Sequence, residues 1–182
     1  MKQVTCILIG AGLRGAHVYS GYALEHPDEL KVVAVAEPDQ KRREEFAAKH
    51  HISEKLQFTS YEELLEKEKI ADCAMICTQD RMHYEPVVMA MKQGYHVLCE
   101  KPMSPDKEAI IRMGELAGKY DRILSVCHVL RYSPFFTKLK TLLKEEKIGK
   151  LISIQHIEEV GYWHHAHSFV RGNWGNAKES SP

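Results

Sequence analysis

Short runs of consecutive apolar residues alternate along the chain with stretches in which apolar positions recur every three or four residues. Val4-Thr5-Cys6-Ile7-Leu8-Ile9 is the first run, and 31–36, 71–77, 95–99 and 123–127 follow. Each is short, rich in β-branched or apolar residues and bounded by turn formers, which predicts strands. Between them the helical spacing predicts helices over 13–25, 41–50, 61–67, 84–93 and 105–119. Local signals mark their ends. Asp39 and Ser60 are N-cap types, Glu63 completes a capping box with Ser60, Pro105 sits near a first turn, and Gly94 ends 84–93. A weak extended segment begins at Phe58. Strands that read as unbroken apolar runs are buried on both faces, which is the mark of a parallel sheet. The predicted fold class is therefore α/β, a doubly wound, mostly parallel sheet with helices on both sides.

The character changes near residue 128. A helical pattern covers 134–146, with Leu139, Leu142, Leu143 and Lys147 on one spacing, and Gly149 stops it. Residues 151–157 alternate in part and predict one strand. A lone strand leaves both edges unpaired. The expected organisation is thus a first domain over 1–128 and the incomplete start of a second α/β domain over 129–182. Such an exposed strand predicts self-association through the second part.

Composition narrows the classes of partner. The 182 residues carry 25 Lys and Arg against 25 Asp and Glu, so no basic face points to nucleic acid or to an anionic membrane. No apolar run is long enough to span a bilayer. Met1-Lys2-Gln3 leads straight into a strand pattern without a signal-peptide core, and a cytoplasmic protein is expected. The five cysteines show no CxxC pair and lie in or beside apolar runs, which predicts reduced, packed thiols.

The strongest chemical signal is Gly10-Ala11-Gly12-Leu13-Arg14-Gly15, placed between the first strand and the first helix. In that setting Gly10 permits a tight turn, Gly12 admits a pyrophosphate against the backbone, and Gly15 lets the helix pack on the sheet. Leu13 and Arg14 belong to the same cofactor-contacting turn. The helix N-terminus then offers N–H groups to the phosphates. Glu37 ends the second strand at the spacing of an acid that accepts hydrogen bonds from a ribose diol. A glycine-rich turn without a ligand, and a methyltransferase, are the competing readings. Lys41-Arg42-Arg43 is either a solvated face or a reader of a 2′-phosphate. Glu37 repels such a phosphate, so NAD is favoured, with NADP the alternative.

Glu100-Lys101-Pro102 follows the strand at 95–99. Ligands in open α/β sheets lie beyond the carboxyl ends of strands, where a lysine reaches a substrate. The plain alternative is a surface ion pair. The chain resembles the N-terminal half of the glucose–fructose oxidoreductase / inositol dehydrogenase (Gfo/Idh/MocA) family over roughly residues 3–160. The likeness rests on the glycine triplet, Glu37, Thr78 with His83, Gly94-x-His96-Val97-x-Cys99-Glu100-Lys101-Pro102, and Arg131-Tyr132-x-Pro134. It implies hydride transfer between a nicotinamide and a carbinol carbon of a sugar or cyclitol-like substrate, in a homo-oligomer. It further implies that Lys101 holds the reacting hydroxyl and bridges substrate and cofactor, and that Thr78 and His83 lie along the nicotinamide side with Glu100 among the cofactor contacts. Gln79-Asp80 replace the Pro-Asn common after the threonine. The family's Asp-x-x-x-His acid/base pair does not occur after residue 129, and none of His156, His164, His165 and His167 has an aspartate four residues before it. A dinucleotide-binding module without turnover is the alternative function.

The remaining candidates are weaker. Arg131 and Tyr132 are read either as cleft residues or as hinge packing. Trp163 and Trp174 are expected to pack, with Trp163 kept as a substrate candidate. His164-His165-Ala166-His167 lacks an acid or cysteine to complete a metal site, so a polar loop is expected and no metal.

Overall fold

A computed structural model describes residues 2–171. Residues up to Val126 form one compact unit and those from Cys127 a second. The first unit holds six strands: β1 (Val4–Ile9), β2 (Leu30–Ala36), β3 (Gln57–Phe58), β4 (Cys73–Ile76), β5 (His96–Cys99) and β6 (Leu124–Val126). All neighbouring pairs are parallel, in the order β3-β2-β1-β4-β5-β6. Each strand is followed by helix because parallel neighbours need a crossover. The helices are α1 (Ser20–Glu25), α2 (Gln40–His50), α3 (Tyr61–Leu65), α4 (Tyr84–Lys92) and α5 (Lys107–Lys119).

The two faces of the sheet carry separate cores, set by the alternation of side chains along a strand. Ile7 and Ile9 of β1 pack with Ala34, Ile76, Val87, Met91 and Met113. Cys6 and Leu8 pack with Val32, Val35, Phe46 and Met75. Burying one such aliphatic side chain stabilises by about 1.5–3 kcal/mol. Asp39 accepts from Arg42 N at 2.8 Å and Ser60 from Glu63 N at 3.3 Å, as predicted, while the Glu63 carboxylate accepts from Thr59 N at 3.1 Å, one residue before the position a capping box requires. At the amino end of the sheet, Asp72 accepts from Thr5 N and from Thr5 Oγ1, both at 2.8 Å.

The helix expected over 13–25 is two elements. Leu13–Tyr19 is a widened π-type turn, with Ser20 N–H donating back to Gly15 O, and only then does α1 begin. Apolar spacing over seven residues does not separate 3.6 from a wider turn. Helix α5 begins two residues later than expected because Asp106, accepting from Glu108 N at 3.0 Å, is its cap.

The second unit opens with a 3₁₀ turn over Val129–Tyr132 and continues into α6 (Pro134–Lys144), capped by Ser133 accepting from Phe136 N at 3.3 Å. The strand expected over 151–157 does not form: 151–160 has no regular structure, and Ile152, Ile154 and Ile157 are 86%, 73% and 69% exposed. A strand pattern without a neighbouring strand leaves its backbone groups to water. Helix α7 (Tyr162–His165) and a π-type segment (Ala166–Val170) follow. The histidine run is therefore helical rather than extended. No described helix is long and apolar enough to cross a membrane.

Candidate functional site

The carboxyl ends of β1, β2, β4 and β5 meet around the glycine turn. Gly10 leaves β1 with a φ of +92°, and its N–H donates to Ala36 O at 2.9 Å. A β-carbon there would lie 2.7 Å from Cys77 O, so the turn is jammed against the end of β4. At Gly15 a β-carbon would lie 2.2 Å from Gly10 O and 3.1 Å from Leu8 Cδ1, which is the close helix–sheet contact expected from the sequence. Gly12 differs from both. Its backbone is extended (φ −72°, ψ −172°), a conformation open to any residue, and a β-carbon would meet no atom within 4 Å among the described residues. Neither strain nor packing calls for glycine at 12. The backbone at 12 faces open space, which leaves room for a ligand against it, and the flanking Leu13 is 75% exposed.

Glu37 is buried at the end of β2. Its Oε2 accepts from Ala11 N at 2.8 Å and its Oε1 from Asp39 N at 3.1 Å, so the carboxylate ties the glycine turn to β2. Carboxylate oxygens have lone pairs beyond one donor each, which leaves acceptor capacity for hydroxyls. The basic run beside it is already engaged: Arg43 Nη1 donates to Glu37 O at 2.6 Å, and Arg42 lies 3.8 Å from both the Glu37 and Asp39 carboxylates.

Thr78 starts the loop after β4, and its Oγ1 donates to Met82 O at 3.2 Å. His83 is fully buried, with Nε2 3.0 Å from Thr78 O and Nδ1 2.8 Å from Pro102 O. The ring thus lies beneath Thr78, the residue with which the sequence analysis pairs it. Both polar atoms of His83 end on backbone carbonyls, so the ring joins the loop after β4 to the loop after β5. Glu100 is buried at the end of β5, where Oε2 accepts from Lys101 N at 2.6 Å and Oε1 accepts from Tyr19 Oη. Arg14 Nε lies 4.0 Å from the same Oε1. Lys101 itself is exposed, and the Lys101–Pro102 peptide is cis. The structure thus gathers Gly10, Gly12, Gly15, Arg14, Glu37, Thr78, Glu100 and the Lys101 backbone. Sequence reasoning passed over Tyr19; its one signal is its position four residues after Gly15, toward the side that packs on the sheet.

The other sequence candidates lie in the second unit. Tyr132 is 79% exposed and follows Arg131 in the 3₁₀ turn. Trp163, expected to pack, is instead 63% exposed, with its ring 4.3 Å from that of His167. Trp174 lies outside the described residues. No cluster able to hold a metal occurs among the described residues. All five cysteines are reduced thiols. Cys6 is pushed up by the neighbouring Cys73 thiol and then by burial, and Cys73 is lowered by the same neighbour.

A parallel sheet in this strand order, with a glycine turn after its first strand and an acid ending its second, defines the dinucleotide-fold class. The chain belongs to the Gfo/Idh/MocA oxidoreductase family, NAD-binding Rossmann fold, whose match covers residues 4–128. It is 33% identical over 148 residues to trans-1,2-dihydrobenzene-1,2-diol dehydrogenase of Sus scrofa, covering 81% of this chain and 43% of that protein. It is 28% identical over 162 residues to inositol 2-dehydrogenase of Corynebacterium glutamicum, covering 85% and 45%. The WlbA dehydrogenase from Bordetella pertussis, solved in complex with NADH and UDP-GlcNAcA, shares the fold with a TM-score of 0.73 at 20% identity, covering 81% of this chain and 43% of its own. The chain spans less than half the length of the curated relatives it matches.

Proposed function

We propose that this chain is the cofactor-binding part of a nicotinamide-dependent oxidoreductase acting on a carbinol carbon of a sugar or cyclitol-like substrate. The observation that carries the reading is the tight glycine turn at the end of β1, tied through the buried Glu37 carboxylate to the end of β2. Gly10, Gly12, Gly15, Leu13 and Arg14 would hold the pyrophosphate, Glu37 the ribose hydroxyls, and Thr78, His83, Glu100 and Lys101 the nicotinamide end. When bound, the cofactor supplies the hydride acceptor or donor. The Lys101 ammonium then holds and polarises the substrate hydroxyl. NAD is favoured over NADP because Glu37 repels a 2′-phosphate and both neighbouring arginines already have partners. The sugar or cyclitol class draws support from the relatives' substrates, and a cytoplasmic site from five reduced thiols, which suit a reducing compartment. We assign Arg131, Tyr132 and Trp163 to the substrate side, the domain boundary to residue 128, and self-association to the second part.

A second reading, binding without turnover by these 182 residues, rests on the histidines after residue 129, none of which is preceded by aspartate at the family's spacing. The test is titration of the purified chain with NADH, followed by NADH fluorescence, and then a panel of polyols with NAD. Saturable binding supports the site. Turnover lost in Lys101→Ala with binding intact supports the oxidoreductase, and binding without turnover supports the second reading. Absence of saturable NADH binding at millimolar concentration overturns both.

A further inference from the structure

We infer that Tyr19 is a positioning residue that sets the backbone of Lys101 through Glu100, and so links the glycine turn to the lysine; the inference rests on the function proposed above. Tyr19 closes the π-type segment that starts at Leu13, directly after the glycine turn. Its hydroxyl donates to Glu100 Oε1, across 81 residues of sequence. The other oxygen of the same buried carboxylate accepts the Lys101 N–H at 2.6 Å. One carboxylate therefore has a donor from the cofactor-side helix on one oxygen and the lysine's own amide on the other. The Lys101 side chain is exposed, so its backbone is what the fold holds. On the far side of the cis peptide, Pro102 O faces the buried His83 ring. A group pressed on the turn shifts or stiffens Leu13–Tyr19, and the tyrosine carries that change to Glu100 and Lys101.

Tyr19→Phe removes only the hydroxyl, so the ring's packing stays. The experiment uses the 182-residue chain labelled with ¹⁵N, and reads the Lys101 amide by its proton shift and exchange rate, with and without NAD. An amide donating to a carboxylate at 2.6 Å resonates downfield. In Tyr19→Phe the Lys101 amide is expected to move upfield and to exchange about tenfold faster, the loss of one charge-assisted bond on its acceptor. The Val97 amide, in β5 before Lys101 and donating to Ile123 O at 2.8 Å, stays unchanged. Added NAD slows Lys101 exchange in the wild type and not in the variant, while NAD affinity remains within about threefold. Glu100→Gln reproduces the Lys101 change, and adding Tyr19→Phe to it changes nothing more, because both act through one carboxylate. A Lys101 amide identical in wild type and Tyr19→Phe overturns the inference, as does an equal change at Val97, which marks general loosening. A wild type that does not bind NAD overturns the proposed function instead, and the ligand-free comparison still decides Tyr19.

Discussion

Replacing Gly12 by valine separates folding from binding at the glycine turn. The backbone there is extended, which suits a β-branched residue, and a β-carbon meets no atom of the described residues within 4 Å. The change should therefore leave the unfolding free energy within about 0.5 kcal/mol of wild type, as for surface substitutions. The same cannot hold at Gly10. There a side chain carries about 1–2 kcal/mol of left-handed backbone strain and also collides with Cys77 O at 2.7 Å. Gly15→Ala places a carbon 2.2 Å from a backbone oxygen and should destabilise by several kcal/mol in the same sense. Binding inverts this order. If the pyrophosphate lies on Gly12 and takes about two charge-assisted hydrogen bonds from the turn, each worth about 1.5–3 kcal/mol, valine should weaken NAD by at least ~100-fold. Urea unfolding followed by circular dichroism reads stability, and calorimetric titration reads affinity. A folded Gly12→Val that binds NAD as the wild type does would refute the placement of the pyrophosphate at Gly12. A Gly12→Val as unstable as Gly10→Ala would refute the claim that packing leaves position 12 free.

Glu37→Ser should narrow or reverse a preference for NAD over NADP in competitive titration, since the repelling carboxylate is gone. It should also destabilise the unit by about 1–3 kcal/mol, because Ala11 N and Asp39 N lose their acceptor; a wild type that prefers NADP would instead make Arg42 or Arg43 the phosphate reader. Asp72 is held below the ordinary ~3.9 of an aspartate, first by the Thr5 amide and then by the Thr5 hydroxyl. A folded-state value that is depressed gives stability present above the unfolded value and lost as pH falls through the folded one. Asp72→Asn should thus lower the urea midpoint at pH 7, with the gap to wild type closing as the pH falls below the ordinary aspartate range; a gap independent of pH would show that charge plays no part.

The β–α alternation was legible in the chain because each signal is local. An apolar run, a cap such as Asp39 and a glycine turn each act within a few residues, and all four strands beside the candidate site were read near their observed bounds. Glu37 was legible for the same reason, since the spacing from Gly10 is set by one crossover. What pairs with what was not. Glu100 meets Tyr19 81 residues away, and His83 meets Pro102 across two loops; their polar atoms find partners only once β4 and β5 lie side by side. Residues 151–157 make the opposite point. Their alternation matches a strand, yet among the described residues no strand lies beside them to take the backbone hydrogen bonds, and the pattern alone does not make one. The chain by itself determined the elements and the turn that a phosphate needs, because propensity and periodicity are properties of neighbours in sequence. Only the tertiary structure decided which buried charges hold the Lys101 backbone and which strand pattern stays unpaired, because hydrogen bonds in a sheet and across loops join residues that the sequence keeps far apart.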